Sequence, residues 1–372
     1  MARRALVIVL DSVGCGAAPD AEEYGDLGAD TLGHLFAGIP WLSLPNLDSL
    51  GLAGLMGRET SALIREGSSA SRLTEISSGK DTTTGHWELM GRPLTEAFLT
   101  CESFPDDFVE ALSVAAGIRF IGNKAASGTE ILRELGGEHI RTGFPILYTS
   151  ADSVLQIAAH EEAFGEERLQ EICRTARLLL DERGMRVGRV IARPFTGDDA
   201  ESFRRTSNRH DYSLTPNETV MDRLVEQGVR VVGVGKISDI FAGKGVTESH
   251  TTTDNSAGMD AIGSLWSRAA EGDCLVFANL VDFDSLYGHR RDPEGYARSL
   301  MEFDEWLGAF LGKVTAHELL IITADHGNDP YHSGTDHTRE QVPCLVVSGG
   351  AFKTGEMNVF SDVGRCVERY FG

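Results

Sequence analysis

The chain has 372 residues, 41% hydrophobic and 24% charged, with 34 Lys+Arg against 56 Asp+Glu and a formal net charge of −22. At about 100–200 residues per domain this length points to two domains with a substantial buried core, and it excludes disorder as the main state. The negative charge repels nucleic acid and anionic lipid over most of the surface, so a site for an anionic ligand needs local cations or bound metal to reverse the field.

In chain order, Arg3-Arg4 is followed by six apolar residues, Ala5–Leu10, and then Asp11. The run reads as a strand. It is too short for a signal-peptide core, and no apolar run approaches the roughly 18 residues of a membrane span. A soluble, cytoplasmic protein is expected. From about 97 to 215 the pattern predicts helix Asp106–Ala116, strand Arg119–Ile121, helix Thr129–Leu135, strand Ile146–Thr149, helix Glu166–Glu182 and strand Val187–Ile191. Gly91-Arg92-Pro93 and Leu214–Asn217 are the hinges expected to set this segment apart as an inserted domain, 97–215, between 1–96 and 216–372. Beyond it, strands Val229–Val234, Leu275–Leu280, Leu319–Thr323 and Cys344–Val347 alternate with helices Thr219–Gln227, Asn255–Ala270, Glu294–Leu311 and Ser361–Tyr370. Near-continuous apolar strands alternating with amphipathic helices predict an α/β fold, a mainly parallel sheet flanked by helices. The six cysteines form no CxxC pair and are expected as reduced core thiols.

Three predicted strands run into acidic residues: Asp11 after the first, Asp282 and Asp284 with His289 in VDFDSLYGH, and Asp325-His326 in TADHGND. Ligand crevices of open parallel sheets lie beyond the carboxyl ends of the strands, so these residues are expected to converge, with His337 of GTDHTRE folding back over the same edge. An Asp after a strand is ordinarily a turn former, and a lone loop His is ordinarily solvated. It is the combination that turn chemistry does not explain. Asp11, Asp284, His289, Asp325, His326 and His337 suit two divalent ions; the oxygens favour manganese or magnesium and the imidazoles manganese, zinc or cobalt, which leaves Mn²⁺ as the common choice. The DxD spacing leaves open which carboxylate of Asp282 and Asp284 binds.

In GKDTTTGHWE, residues 79–88, three hydroxyls (Thr82, Thr83, Thr84) stand where a loop enters a helix. A metal ion lowers the pKa of such a hydroxyl, and helix N-terminal amides stabilise a phosphate on it; otherwise the segment is a plain N-cap. Arg193 in IARPF, Arg209 in TSNRHDY and Lys236 in GKISDI are cations suited to phosphate, and Ser150 and Asp152 in YTSADS are hydroxyl readers or ordinary turn residues.

These motifs, in this order, resemble the prokaryotic phosphopentomutase family of the alkaline phosphatase superfamily. The blocks that carry the resemblance are VLDSVGCGAAPDAEEYGDLGADTLGH, LPNLDSLGL, GKDTTTGHWELMG, HIRTGFPILYTSADSVLQIAAHEE, GRVIARPF, TSNRHDY, GKISDIF, NLVDFDSLYGHRRDPEGY and ITADHGNDPYHSGTDHTREQVP, spanning nearly the whole chain. The resemblance implies an alkaline-phosphatase-like core with an inserted smaller α/β cap. It implies one metal on Asp284, His289 and His337, the other on Asp11, Asp325 and His326. Thr82 is implied as the phosphate carrier, a choice among the threonines that comes from the family alone. Ser150, Asp152, Arg193, Arg209 and Lys236 match positions that hold pentose phosphate. The implied reaction interconverts α-D-ribose 1-phosphate and D-ribose 5-phosphate, and the 2-deoxy pair, through a 1,5-bisphosphate, with a sugar bisphosphate as activator. One departure is that the sequence stops at Gly372, where the family runs on through a tail with a GTSF-like segment.

Two rival readings share parts of this pattern. A phosphatase or another phosphomutase has the same metal ligands, but TSADS, IARPF and SNRHDY favour the pentose mutase. A non-catalytic sugar-phosphate- or metal-binding descendant is expected to have lost the nucleophile or some ligands, yet Thr82 and all six are present.

Overall fold

The computed structural model describes residues 2–150, 153–268, 272–348 and 352–372. They divide into two units, Met1–Glu96 with Pro216–Gly372, and Ala97–Thr215.

In the first unit, Arg4–Leu10 is the central strand of seven. The order across the sheet is Glu248–His250, Arg230–Val234, Cys274–Leu280, Arg4–Leu10, Leu319–Thr323, Val342–Ser348, Ser68–Leu73. The first five run parallel, Val342–Ser348 runs antiparallel to its neighbours on both sides, and Ser68–Leu73 returns to the direction of the first five. Ala5–Leu10, Cys274–Leu280 and Leu319–Thr323 are buried on both faces, which is why their sequences are apolar without alternation. Val9 pairs with Asn279 on one side and with Thr323 on the other. The three strands therefore end level, and the residues that follow them leave the sheet at one edge.

Helix boundaries follow from caps. Asp254 accepts from the Ala257 amide at the start of Asn255–Ser267, Thr219 and Asp222 form a capping box for Val220–Glu226, and Asp292 caps Pro293–Leu311, with proline in the first turn. The helix predicted to reach Ala270 ends at Ser267; Ala269 and Ala270 lie outside the described residues. The strand Ser68–Leu73 was not expected: SSASRL has no apolar run, because it is a partly exposed edge strand paired on one side only.

The second unit has its own six-stranded mixed sheet, ordered Ile121–Ala125, Ile146–Thr149, Val154–His160, Arg189–Thr196, Arg204–Arg205, with His210–Ser213 also paired to Arg189–Thr196. Helices Asp106–Ala116 and Glu166–Glu182 cover one face through Phe108, Leu112, Leu169, Ile172, Ala176 and Leu180. Helix Gly128–Thr142 covers the other with Ile131 and Leu132 against Tyr148 and Phe195. That helix runs well past the predicted end at Leu135. Gly136 does not break it, since a Cβ there would lie 2.5 Å from the Phe203 ring, and the missing side chain is what lets the two approach. Ile121–Ala125 starts later than predicted and carries a register shift at Gly122/Lys124. Arg189–Thr196 continues five residues beyond the predicted Ile191. All six cysteines are free.

Candidate active site

Asp11, Asp284 and Asp325 stand beyond three neighbouring strands, and each has one oxygen tied by the protein. Asn279 Nδ2 donates to Asp11 Oδ2 at 3.0 Å, the Ser12 amide to Asp325 Oδ1 at 3.1 Å, and Asn328 Nδ2 to Asp284 Oδ1 at 2.7 Å. Asp11 Oδ1 is buried without a hydrogen-bond partner, and the buried Asp325 Oδ2 is faced by His86 Nδ1 at 3.0 Å and His326 Nε2 at 3.4 Å. A buried carboxylate oxygen with no donor is costly unless a cation meets it, so the donor set fits metal. Ser12 has a left-handed φ of 73°, backbone strain of the kind concentrated at functional sites.

The imidazoles complete the cluster. His326 Nε2 lies 3.4 Å from Asp11 Oδ1 and 3.4 Å from Asp325 Oδ2. His289 Nε2 is 3.2 Å from Asp284 Oδ2, His337 Nε2 is 3.4 Å from Asp284 Oδ1, and the two Nε2 atoms are 3.1 Å apart. His289 Nδ1 faces the Thr335 carbonyl at 2.7 Å and His326 Nδ1 the Gly327 carbonyl at 3.0 Å. A carbonyl only accepts, so Nδ1 carries a hydrogen in both rings, and Nε2 is the atom each turns to the cluster. Asp284, His326 and His337 form one group of ligand atoms within 4.8 Å of one another, and Asp11, Asp325 and His326 a second. His326 and His337 stack with ring centroids 4.0 Å apart. The six predicted ligands are thus continuous.

Local backbone explains the aim of Asp284. Phe283–Gly288 is a π-helical segment, a distortion that turns side chains toward functional sites. It sends Asp284 into the cluster, while Asp282 accepts from the Asn255 amide at 2.7 Å and supports the start of a helix. Of the DxD pair, Asp284 therefore stands in the cluster and Asp282 outside it.

The charges respond to this crowding. Burial, reinforced by Asp325 and Asp284, pushes the Asp11 carboxyl well above its ordinary value. Burial alone would raise Asp284 too, but the imidazoles of His289 and His337 outweigh it and hold it below. The hydrogen bond to Asp284 raises His289 to about 9 against its burial.

Thr82 opens the helix Thr82–Leu89, capped by Asp81, which accepts from the amides of Thr83 and Thr84. The Thr84 hydroxyl also donates to Asp81. The Thr82 hydroxyl is instead aimed at the cluster, its Oγ1 lying 3.1 Å from His326 Nε2. One turn on, His86 faces the Thr82 carbonyl at 2.8 Å and Asp325 Oδ2 at 3.0 Å. A Cβ on Gly85 would lie 2.1 Å from the Asp325 carbonyl oxygen, so glycine is what lets helix and ligand loop touch. The loop before Thr82 is held by the buried Arg339, which bonds Glu75 Oε2 at 2.6 Å, Asp20 Oδ2 at 2.8 Å and the Gly79 carbonyl.

The remaining predicted residues are placed as follows. Ser150, half-buried, follows strand Ile146–Thr149, and Asp152 lies outside the described residues. Arg193 Nε donates to Gln156 at 3.0 Å, and Arg209 forks onto Asp211. Burial and the neighbouring Arg209 guanidinium lower Arg193 from its ordinary value. These residues belong to the 97–215 unit. Lys236 is exposed after strand Arg230–Val234 in the other unit.

Sequence reasoning assigned no role to Ser12, His86, Asn279, Asn328 or Arg339. Asn279 offered a signal, a lone amide near the end of the buried strand CLVFANL; the others depend on loop paths that periodicity does not encode.

The profile of the metalloenzyme superfamily matches residues 3–372. The chain is 53% identical to a phosphopentomutase of Symbiobacterium thermophilum over 92% of this chain and 88% of that protein. It is 48% identical to a phosphopentomutase of Levilactobacillus brevis over 100% and 95%. In fold it is similar to the crystal structure of Leishmania mexicana phosphoglycerate mutase at low cobalt concentration, with a TM-score of 0.50 and 12% identity, covering 100% of this chain and 96% of that one. The chain is a metalloenzyme of the alkaline-phosphatase-like α/β class that the sequence led us to expect. More particularly, it belongs to the phosphopentomutase family and is an isomerase. Among the described residues, no helix is long and apolar enough to cross a membrane.

Proposed function

We propose that the chain interconverts α-D-ribose 1-phosphate and D-ribose 5-phosphate, and the 2-deoxyribose pair, by way of a phosphothreonine at Thr82 and a 1,5-bisphosphate. The observation that carries this is the approach of the Thr82 hydroxyl to 3.1 Å from His326 Nε2, at the edge of a six-ligand cluster, in a chain about half identical to phosphopentomutases.

One ion would be held by Asp284, His289 and His337 and the other by Asp11, Asp325 and His326, with Mn²⁺ the ion best matched to the mixed carboxylate and imidazole donors. Bound there, two divalent ions neutralise charge on the transferring phosphoryl group and on the attacking and leaving oxygens. Thr82 at the first position of its helix presents its oxygen beside the amides of the first turn, which favour a phosphate. The phosphoryl group passes from Thr82 Oγ1 to the free hydroxyl of the sugar phosphate: the P–Oγ1 bond breaks, the new P–O bond forms, and the proton of the sugar hydroxyl ends on Thr82 Oγ1, restoring the threonine hydroxyl. The bisphosphate then reorients and returns its other phosphoryl group to Oγ1. A sugar bisphosphate supplies the first charge of phosphate.

Ser150, Asp152, Arg193, Arg209 and Lys236 hold the pentose phosphate, with the 97–215 unit serving as a cap that excludes water. The guanidiniums of Arg193 and Arg209 supply local positive charge in a chain of net charge −22. The six free thiols support placement in the reducing cytoplasm.

The test is to incubate the protein with ribose 1-phosphate, Mn²⁺ and a catalytic amount of sugar bisphosphate. Ribose 5-phosphate is the expected product; stoichiometric inorganic phosphate in its place identifies a phosphatase and overturns the reading.

A further inference from the structure

The side chain of Arg291 lies outside every role assigned above, yet it bonds to both loops that bring imidazoles to Asp284. Its Nε donates to the Gly334 carbonyl at 2.6 Å and one terminal nitrogen to the Asp336 carbonyl at 3.2 Å, on the loop that delivers His337. The other terminal nitrogen shares its hydrogens among the Gly288 carbonyl at 3.0 Å, immediately before His289, the Asp329 carbonyl at 3.0 Å and Asn328 Oδ1 at 2.6 Å. Because a guanidinium only donates, it fixes the Asn328 amide with Oδ1 toward Arg291 and Nδ2 toward Asp284 Oδ1, 2.7 Å away. One planar group thus sets the positions of His289, His337 and Asp284 together.

Two further observations separate this clamp from general support of the fold. Arg291 has a left-handed φ of 54°, which a residue with a Cβ adopts at a cost and glycine adopts freely. The side chain is retained in a backbone position that would relax without it. His326 has a tie of its own, Nδ1 facing the Gly327 carbonyl at 3.0 Å, although the paired backbone bonds between Gly327 and Thr338 join its loop to that of His337. Asp11 and Asp325 are tied by Asn279 and Ser12.

We propose that Arg291 is a positioning residue that sets divalent-cation affinity at the Asp284, His289 and His337 group and leaves the Asp11, Asp325 and His326 group unaffected. The proposal rests on the two-ion reading above. Lysine cannot replace the clamp, because an ammonium offers three donors at one point where five acceptors surround a flat fork.

The experiment is a calorimetric Mn²⁺ titration of the full, metal-free chain as wild type, Arg291→Lys and Arg291→Gly, with thermal denaturation of each metal-free protein. The wild type is expected to take two ions. Both variants are expected to keep one at wild-type affinity and bind the other about 10–100-fold more weakly. The metal-free glycine variant should still unfold in one cooperative transition, and the spin coupling of the Mn²⁺ pair in the paramagnetic resonance spectrum should fade at the same total metal. In an Asp11→Asn background, Arg291→Gly should abolish the remaining tight binding; in a His289→Ala background it should change nothing further. Two ions bound at wild-type affinity in both variants, or equal weakening of both ions, overturns the proposal. A wild-type chain that takes fewer than two ions overturns the two-ion reading itself, a result seen before any substitution is made.

Discussion

Thr82 Oγ1 and His326 Nε2 stand 3.1 Å apart, and the Gly327 carbonyl 3.0 Å from His326 Nδ1 makes Nε2 the acceptor in the neutral ring. The hydroxyl of Thr82 therefore donates toward the cluster, whereas that of Thr84 is spent on the helix cap at Asp81. The two hydroxyls, two residues apart, are thus turned to different partners.

That division predicts opposite phenotypes. Thr82→Ala should abolish the phosphoryl adduct seen by intact mass spectrometry after treatment with sugar bisphosphate, and lower kcat by roughly 10³-fold or more. Thr84→Ala should keep the adduct and lose about 1 kcal/mol of stability with its cap partner.

Gly85→Ala should destabilise by about 1–3 kcal/mol or more in urea denaturation, because its new Cβ would meet the Asp325 carbonyl at 2.1 Å, and backbone does not yield as a side chain does. Gly137→Ala, on the exposed face of helix Gly128–Thr142 with nothing within 4 Å of its Cβ, should instead stabilise by roughly 0.5–1 kcal/mol.

Arg339 and Glu75 are both 98% buried and bonded at 2.6 Å. Burial pushes the Glu75 carboxyl well above its ordinary value, with the Arg339 guanidinium opposing. Arg339→Met leaves that carboxyl without its partner and should cost about 3–5 kcal/mol. Adding Glu75→Gln should recover part of the loss, a non-additivity that a double-mutant cycle of denaturation midpoints measures directly.

His139, in the 97–215 unit, gives a pH dependence of its own. Its Nδ1 faces the Phe144 carbonyl at 2.7 Å and its Nε2 accepts from the His160 amide at 2.9 Å, so the folded ring is neutral, and burial lowers its pKa from the ordinary 6.5 despite the Phe144 bond. A depressed pKa contributes stability that is present above 6.5 and lost as pH falls through the folded value, by at most about 1.4 kcal/mol per pH unit. Hydrogen exchange across Gly128–Thr142 should accelerate over that window in the wild type, and His139→Gln should flatten the dependence.

What the sequence disclosed and what it concealed divide along physical lines. Leu275–Leu280 and Leu319–Thr323 announce themselves because strands covered on both faces must be apolar, and the rule that parallel strands end at one edge carries Asp11, Asp284 and Asp325 to a common rim. Ser68–Leu73 hid because an edge strand needs no such run. Val154–His160 is buried along its length, yet Gln156 and the alanines at 158 and 159 keep VLQIAAH from reading as an unbroken β-branched run. The ties that orient each ligand, Asn279 to Asp11 and Asn328 to Asp284, join residues 268 and 44 positions apart. No local period records such pairs. The polar string HTREQVP reads as surface, yet Arg339 and Glu340 are 2% and 1% exposed, because a buried network satisfies them.

The central place of Arg4–Leu10 also sets an order of events during synthesis. Its two neighbours are Cys274–Leu280 and Leu319–Thr323, so this strand leaves the ribosome well ahead of both and waits uncovered for each in turn. The 97–215 unit, contiguous in sequence, has all its own partners long before then. Nascent chains arrested near residue 250 should thus display a protease-resistant middle and an unpaired beginning, and the N-terminal segment is where a chaperone would find its client.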